Sequence, residues 1–235
     1  MLENFLSPNA SFVRPYGVAH IIYLFACFSI IFLFIKNKES VIKNRRLYRI
    51  IFLVVLSIQQ VFFLYGWYAF CTPNFWAEGL PLQLCRVSSL LTIVFLINEK
   101  KSVVDVLNYF SVFALISFFY PMNVYNFGHI SGFSYMINHL ITVLIPIFTV
   151  IAYDWEPSKK SCISAICSFT VYFVLALIAN EITGGNYFYQ TDRPFLSGLS
   201  SLSFAALSFV VTCGGFVVLT LVVSKLFSLV KKKNK

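Results

Sequence analysis

Residues 133–153 read FSYMINHLITVLIPIFTVIAY, a run of 21 residues without any Asp, Glu, Lys or Arg. An α-helix needs about 20 mostly apolar residues to cross the hydrocarbon core of a bilayer, so this run predicts a transmembrane span. Similar runs recur along the chain and predict an all-α fold, a polytopic transmembrane helical bundle that forms a single domain over residues 1–235. The predicted spans are seven, at about residues 15–35, 50–70, 81–97, 103–122, 133–153, 161–180 and 199–224.

The overall composition also indicates a membrane protein and argues against a soluble globular one. Of the 235 residues, 59% are hydrophobic, 18% are aromatic and 11% are charged, which leaves too few charges to cover a water-facing surface. The net charge of +9 could suggest a nucleic-acid partner, but most Lys and Arg residues lie in short segments between the apolar runs. Membrane topology explains that distribution, so we expect no binding of nucleic acid.

The positive residues predict an orientation. If the spans simply alternate, 15 of the 18 Lys and Arg residues fall on one side, in segments 36–49, 100–101, 159–160 and 225–235. By the positive-inside rule that side is cytoplasmic, which places the N-terminus outside and the C-terminus in the cytoplasm. We therefore expect a multi-pass protein of the cell membrane. The positive-inside rule does not explain why the three remaining basic residues, Arg14, Arg86 and Arg193, lie on the outer side.

Two spans carry polar side chains that share a helical face. The fifth span has the i, i+3, i+4, i+7 spacing of one face at Tyr135, Asn138, His139 and Thr142. In the third span, Arg86 follows Gln83 by three residues. A charged side chain costs about 2.5–3.5 kcal/mol at the centre of a span on insertion scales, so Arg86 should have a partner or a cavity.

These residues and others in the same half of the bundle predict a polar pocket. We expect it to open towards the outer leaflet or the outside, with walls from the first, second, third and fifth spans and a roof from the last outer loop. The predicted pocket residues are Gln83, Arg86, Asn138, His20, Gln59, Gln60, His129, Asn186 and Arg193. Single amides in spans also serve as contacts between helices, and His20 alone fits a packed, hydrogen-bonded residue better than a catalyst. The inner half of each span reads as almost purely aliphatic and aromatic.

Three stretches resemble the signature motifs of the YwaF-like bacterial integral membrane protein family. They are GLPLQLC at 79–85, FGHISGFSYMINHL at 127–140 and GGNYFYQTDRPF at 184–195, in the family's order. Gln83 stands where the family usually has His, whereas His139 stands at the matching histidine. The aromatic ending that is typical of the family is missing after the third motif.

The YwaF-like family is distantly similar to an animal transmembrane phospholipid acyltransferase family, in which an acyl chain passes through a cysteine. The resemblance implies that the third span presents a nucleophile and that His139 activates it. The alignment puts the family's cysteine at Leu82, and the cysteine of this span is Cys85. On a regular helix Cys85 lies about 100° from Arg86 and about 160° from Gln83, which predicts that it points away from the pocket unless Pro81 or an irregular turn re-aims it.

Three classes of function stay open at this point. The first is an outward-facing lipid-modifying enzyme that transfers or hydrolyses acyl chains of a phospholipid, with His139 and Cys85 as catalytic candidates. The second is a transporter or substrate-binding component for a small polar or anionic solute, which the apolar inner half argues against. The third is an accessory membrane subunit. We expect membrane lipids as partners, and predict no cofactor and no metal site, since no C-x-x-C spacing occurs; the sequence names no protein partner.

Overall fold

A computed structural model describes residues 5–7, 10–70, 75–122, 124–193 and 195–233. Two short helices, Lys38–Lys43 and Phe75–Glu78, and a 3₁₀ turn at Tyr187–Tyr189 lie in its connections. Its longer helices are α1 (Val18–Lys36), α2 (Arg45–Phe70), α3 (Leu84–Asn98), α4 (Lys101–Phe119), α5 (Ile130–Tyr153), α6 (Lys159–Thr183) and α7 (Ser201–Lys233). Within the described ranges there is no β-strand, only an isolated bridge between Phe12 and Tyr125, so the all-α prediction is confirmed.

Six of these helices, all except α3, are long and apolar enough to cross a membrane. They confirm a polytopic helical protein. α3 has only 15 residues, about 22 Å at 1.5 Å per residue, against a hydrocarbon core of about 30 Å. It starts later than the predicted span at 81–97, because the chain turns at Pro81, where the Leu82 N–H donates to the Leu80 carbonyl at 2.8 Å, and Gln83 is an extended N-cap before Leu84.

The two ends of the bundle differ in charge. We call the end where Lys36, Lys101 and Lys159 lie the basic end, and the opposite end, where α3 and α5 begin and α4 finishes, the cavity end. α4 packs on α3, α5 and α6 and is the most buried of the long helices. α1 and α7 instead expose large apolar side chains such as Phe25 and Leu202, a surface suited to contact with lipid acyl chains.

The half of the bundle near the basic end contains a buried polar network, which is an exception to the expectation of an almost purely aliphatic and aromatic inner half. The Asp105 carboxylate accepts hydrogen bonds from Lys101 Nζ and Trp155 Nε1, both at 2.8 Å. Asn108 Nδ2 donates to Thr149 Oγ1 at 2.9 Å. These side chains lie on α4, on α5 and in the loop after α5. In the sequence they look like ordinary polar and aromatic residues of the membrane interface. The network therefore joins α4 to the end of α5.

We expect Asp105→Ala to lower the free energy of unfolding by about 1–3 kcal/mol, because the buried Trp155 N–H then has no acceptor. Thermal unfolding in mild detergent measures this loss. The matched control is Glu181→Ala, which removes an exposed carboxylate from α6 and should leave the unfolding temperature unchanged. Equal unfolding temperatures for both variants would contradict a stabilising role for Asp105.

Candidate functional site

A cavity of about 560 Å³ lies at the cavity end, between α2, α3, α4, α5 and α7. This volume is in the usual range for a site that binds a small molecule, about 300–1,000 Å³. Eight residues that the sequence predicted as pocket or catalytic residues border it: Gln59, Gln60, Gln83, Cys85, Arg86, Asn138, His139 and Asn186. The polar residues of three helices thus converge on one space.

The short length of α3 accounts for the position of this cavity. Ser89 Oγ donates a hydrogen bond to Asn138 Oδ1, which fixes α3 and α5 at the same depth. Arg86 lies one turn before Ser89, and His139 directly follows Asn138, so the two functional candidates lie at similar depth. A span of full length would continue past Leu84 towards the cavity end. Instead the first turn of α3 borders the cavity.

Cys85 lines the cavity together with Gln83 and Arg86, and the chain just before it is irregular, which is the condition under which we expected it to face the pocket. The angles of the helical wheel apply only if residues 83–86 form one regular helix. Gln83 has backbone angles φ −67° and ψ 134°, which are extended rather than helical, and its side-chain direction therefore does not follow the helical wheel. The cavity is also wide enough to take both Cys85 and Arg86 from neighbouring positions on α3.

His139 presents a basic nitrogen in this cavity. Its Nδ1 lies 2.9 Å from the carbonyl oxygen of Tyr135, and because a carbonyl only accepts, Nδ1 carries the proton. In the neutral ring the lone pair is then on Nε2, which is buried and has no hydrogen-bond partner in the part of the chain that the structure describes. The Tyr135 ring packs on the imidazole, with 3.8 Å between the ring centroids. His139 is thus held in the tautomer that a general base requires.

Arg86 supplies the positive charge of the site. Its guanidinium carbon lies 3.4 Å from the centroid of the Phe63 ring, a cation–π contact that orients the side chain. Among the described residues that line the cavity, Arg86 is the only one with a permanent charge, and none is acidic. The cavity therefore favours an anionic group over a cationic one.

Two amides of α2 form the polar floor of the cavity. Gln59 Nε2 donates to Ser134 Oγ at 2.7 Å, and Gln60 Nε2 donates to Gln59 Oε1 at 2.8 Å and to Asn138 Oδ1 at 3.3 Å. Both glutamines also border the cavity. They therefore act as contacts between α2 and α5 and as cavity wall at once.

The roof is a loop that two asparagine side chains organise. Asn180 bonds to both backbone groups of Tyr187, accepting from its N–H at 2.6 Å and donating to its carbonyl at 2.9 Å. Asn186 Oδ1 accepts from the N–H groups of Thr191 and Asp192 at 3.0 and 3.1 Å. Burial raises the pKa of Tyr189 in this roof, so its phenol stays neutral. The loop therefore covers the site as an ordered structure.

The structure places His20 outside the cavity, and α1 contributes nothing to the cavity's described lining. His20 is fully buried; its Nδ1 accepts from the Tyr16 N–H at 2.9 Å, and its Nε2 lies 3.0 Å from the Phe118 carbonyl oxygen. Both ring nitrogens are thus engaged, and this histidine fastens α1 to the end of α4.

His129 and Arg193 also lie beside the cavity rather than in its described lining. His129 is the N-cap of α5, where its Nδ1 accepts from the Ser131 N–H at 3.2 Å, and burial lowers its pKa. Arg193 donates to the Leu199 carbonyl at 2.7 Å and to Ser201 Oγ at 2.8 Å. Both side chains serve the local structure of a loop.

One wall of the cavity was not predicted at all. It comes from α4, α7 and the loop before α7, and it is mostly apolar: Phe113, Ile116, Ser117, Tyr120, Phe195, Phe204 and Ser208. The apolar residues of this wall are of the same types as those on a lipid-facing surface of a helix. No sequence signal separates an apolar cavity wall from an apolar membrane surface.

Comparison with known proteins identifies the family. The model of the TMEM164 family matches residues 15–226, which is most of the chain. No curated protein and no solved structure matches the chain. With six apolar, span-length helices among its described residues, the chain is a multi-pass membrane protein that belongs to the TMEM164 family.

Proposed function

We propose that this protein is a membrane-embedded enzyme that binds a phospholipid in the cavity and cleaves or transfers one of its acyl chains. The observation that carries the proposal is the pairing of a buried, proton-accepting Nε2 on His139 with a single guanidinium, Arg86, in one cavity. A phosphate is the anionic group that a guanidinium binds best in a lipid, through two parallel hydrogen bonds. Ionisable residues inside spans are expensive, which favours a functional reason for both.

The proposed chemistry uses His139 first as a base and then as an acid. Nε2 takes a proton from the attacking group as that group adds to the ester carbonyl of the lipid. The negative oxygen that forms is stabilised by an N–H donor, for which the Gln83 amide is the candidate, because only one of its two N–H bonds points to Asn186 O, at 3.4 Å. The ester C–O bond then breaks, and the proton on Nε2 passes to the leaving alkoxide.

The proposal has two versions, which differ in the group that attacks the ester carbonyl. If the thiol of Cys85 attacks, the acyl chain is held as a thioester and passes to a second lipid or to water. If water attacks, the products are a free fatty acid and a lysophospholipid. Cys85 borders the same cavity as His139, which favours testing the thioester version with Cys85→Ser.

The same proposal includes the topology. α3 together with the chain before it would act as a seventh membrane segment, with the N-terminus outside, the C-terminus in the cytoplasm and one domain over residues 1–235. In that orientation the cavity end faces the outer leaflet of the cell membrane. The basic end then contacts the cytoplasmic leaflet, as the positive-inside rule requires. The YwaF-like assignment of the three motifs stays a prediction beside the TMEM164 match.

We expect Arg86→Gln to lose most of the phospholipid that co-purifies with the wild-type protein in mild detergent, about tenfold or more, because a charge-assisted contact to phosphate is worth about 1.5–3 kcal/mol. Lipid mass spectrometry of purified samples measures the loss. The matched control is Arg14→Gln, since Arg14 is exposed and does not border the cavity. If wild type, Arg14→Gln and Arg86→Gln all carry the same unselective lipids, the cavity does not select a phospholipid, and binding of a solute or a protein becomes the better account.

A further inference from the structure

The apolar wall of the cavity is also part of the outer surface of the protein. Ile116, Tyr120 and Phe195 border the cavity, yet they are 58%, 48% and 70% exposed. A side chain that both borders the cavity and is exposed on the protein surface lies at the rim of an opening of the cavity. The rim therefore lies on the side of the bundle where α4 ends and α7 begins.

The surface around this rim is apolar. On α4 the neighbours Leu115 and Phe119 are exposed, and on α7 so are Leu202 and Leu207. In a helix that crosses a membrane, such a surface faces acyl chains rather than water. The opening consequently leads from the cavity into the bilayer.

The hydrogen bond and the ring contacts between α4 and α7 in the described part of the chain lie below this rim, towards the basic end. Tyr109 OH lies 2.8 Å from Thr220 Oγ1, and the Phe216 ring packs on Phe110 and Phe113 with centroids 6.2 and 6.4 Å apart. Further towards the cavity end, the residues of both helices border the cavity. The two helices thus leave a gap that is closed at its inner edge by Phe113 and Phe216.

Access to the cavity from water, through the roof loop, is more obstructed than access through the gap between α4 and α7. Tyr187 in the roof is fully buried, and its hydroxyl donates to the Trp76 carbonyl at 3.1 Å. The bonds of Asn180 and Asn186 hold the remaining roof backbone. To open the roof, several hydrogen bonds must break, whereas passage between α4 and α7 needs rotations of mostly apolar side chains and the loss of at most one bond to the roof, from Gln190 Nε2 to Ser208 Oγ at 3.2 Å.

We propose that the gap between α4 and α7 is a lateral portal through which the acyl chain of a phospholipid enters from the surrounding leaflet. The portal is defined by Ile116, Tyr120, Phe195, Phe204 and Ser208. The phosphate lies at Arg86 and the acyl chain extends through the portal into the bilayer, so the ester between them lies beside His139. This inference rests on the proposed function, because it takes a phospholipid as the occupant. Charge complementarity and the lipid-facing rim support that choice.

The test uses the full-length protein in nanodiscs with a glycerophospholipid that carries a photoactivatable diazirine on its sn-2 acyl chain. After illumination, mass spectrometry quantifies labelling of α5 peptides that contain His139. In Ile116→Trp a larger ring occupies the rim, and we expect labelling to fall at least fivefold. Leu115→Trp is the matched control, since Leu115 is exposed on the same helix but does not border the cavity; its labelling should equal that of wild type.

A second variant guards against a folding defect. Ser208→Trp narrows the portal from the α7 side, and thermal unfolding identifies which variants remain folded. Equal labelling of the wild type and every folded portal variant would overturn lateral entry, while the lipid-binding function would stand. No labelling of α5 in the wild type would overturn the portal and the proposed function together.

Discussion

We expect His139→Gln to reduce the proposed release or transfer of acyl chains by about 10²–10⁴-fold, which is the usual contribution of a general base. Glutamine has a size similar to that of histidine and can still donate to the Tyr135 carbonyl, where Nδ1 of His139 lies at 2.9 Å. What it lacks is a nitrogen lone pair that can take a proton from the attacking group. The proposed phosphate contact at Arg86 is unchanged, so the defect should lie in turnover and leave lipid binding intact.

The measurement compares initial rates with a phospholipid whose acyl chain is isotopically labelled, in nanodiscs of the same composition. His20→Gln is the matched control, because it removes a fully buried histidine that does not border the cavity. We expect this control to keep its turnover after correction for folded protein. A fully active His139→Gln enzyme would remove His139 from the mechanism.

The second large effect that we expect is a loss of stability in Gly132→Ala. A Cβ at Gly132 would stand 2.2 Å from the carbonyl oxygen of Asn126 and 2.3 Å from that of Tyr125. Both atoms belong to backbone, so neither can rotate away, and the loop must move off the first turn of α5. The expected loss of unfolding free energy is about 3 kcal/mol or more, at the upper end of overpacking costs.

Displacing that loop should also disturb the site, because Tyr125 borders the cavity and its ring packs on His129, with centroids 4.4 Å apart. Thermal unfolding in detergent provides the first readout and lipid retention the second. Gly215→Ala on α7 is the control, since an added Cβ there meets no atom within 4 Å. A Gly132→Ala protein as stable as this control would show that the loop does not pack on α5 as described.

The cost of polar groups in lipid explains which parts of the site were readable from the sequence. Arg86, Asn138 and His139 lie within apolar runs, where each must satisfy its polar atoms inside the protein, and they do converge on one cavity. Residues in loops or near span ends have a second option, a nearby backbone group. His20 contacts the Phe118 carbonyl and Arg193 donates to the Leu199 carbonyl. The sequence does not distinguish a polar side chain that bonds to nearby backbone from one that lines a cavity.

The fold shows a similar division. Long apolar runs predicted seven spans, and six of the described helices are long and apolar enough to cross a membrane, because length and hydropathy alone decide whether a helix can cross a bilayer. The late start of α3 depends on the extended backbone of Gln83, and the polar contacts of Asp105 depend on which helices meet near the basic end. The first is a local backbone feature and the second is a tertiary one, and the pattern of apolar residues reports neither.

The most direct test of the central claim is turnover of a defined phospholipid by the purified wild-type protein in nanodiscs, carried out in ¹⁸O-labelled water. We predict lysophospholipid formation that increases with time and with protein, and that His139→Gln abolishes. Label in a released fatty acid would identify water as the final acceptor, and an unlabelled acyl chain on a second lipid would identify transfer. Absence of any acyl cleavage, with bound phospholipid present and the protein folded, would contradict an enzymatic role for the cavity.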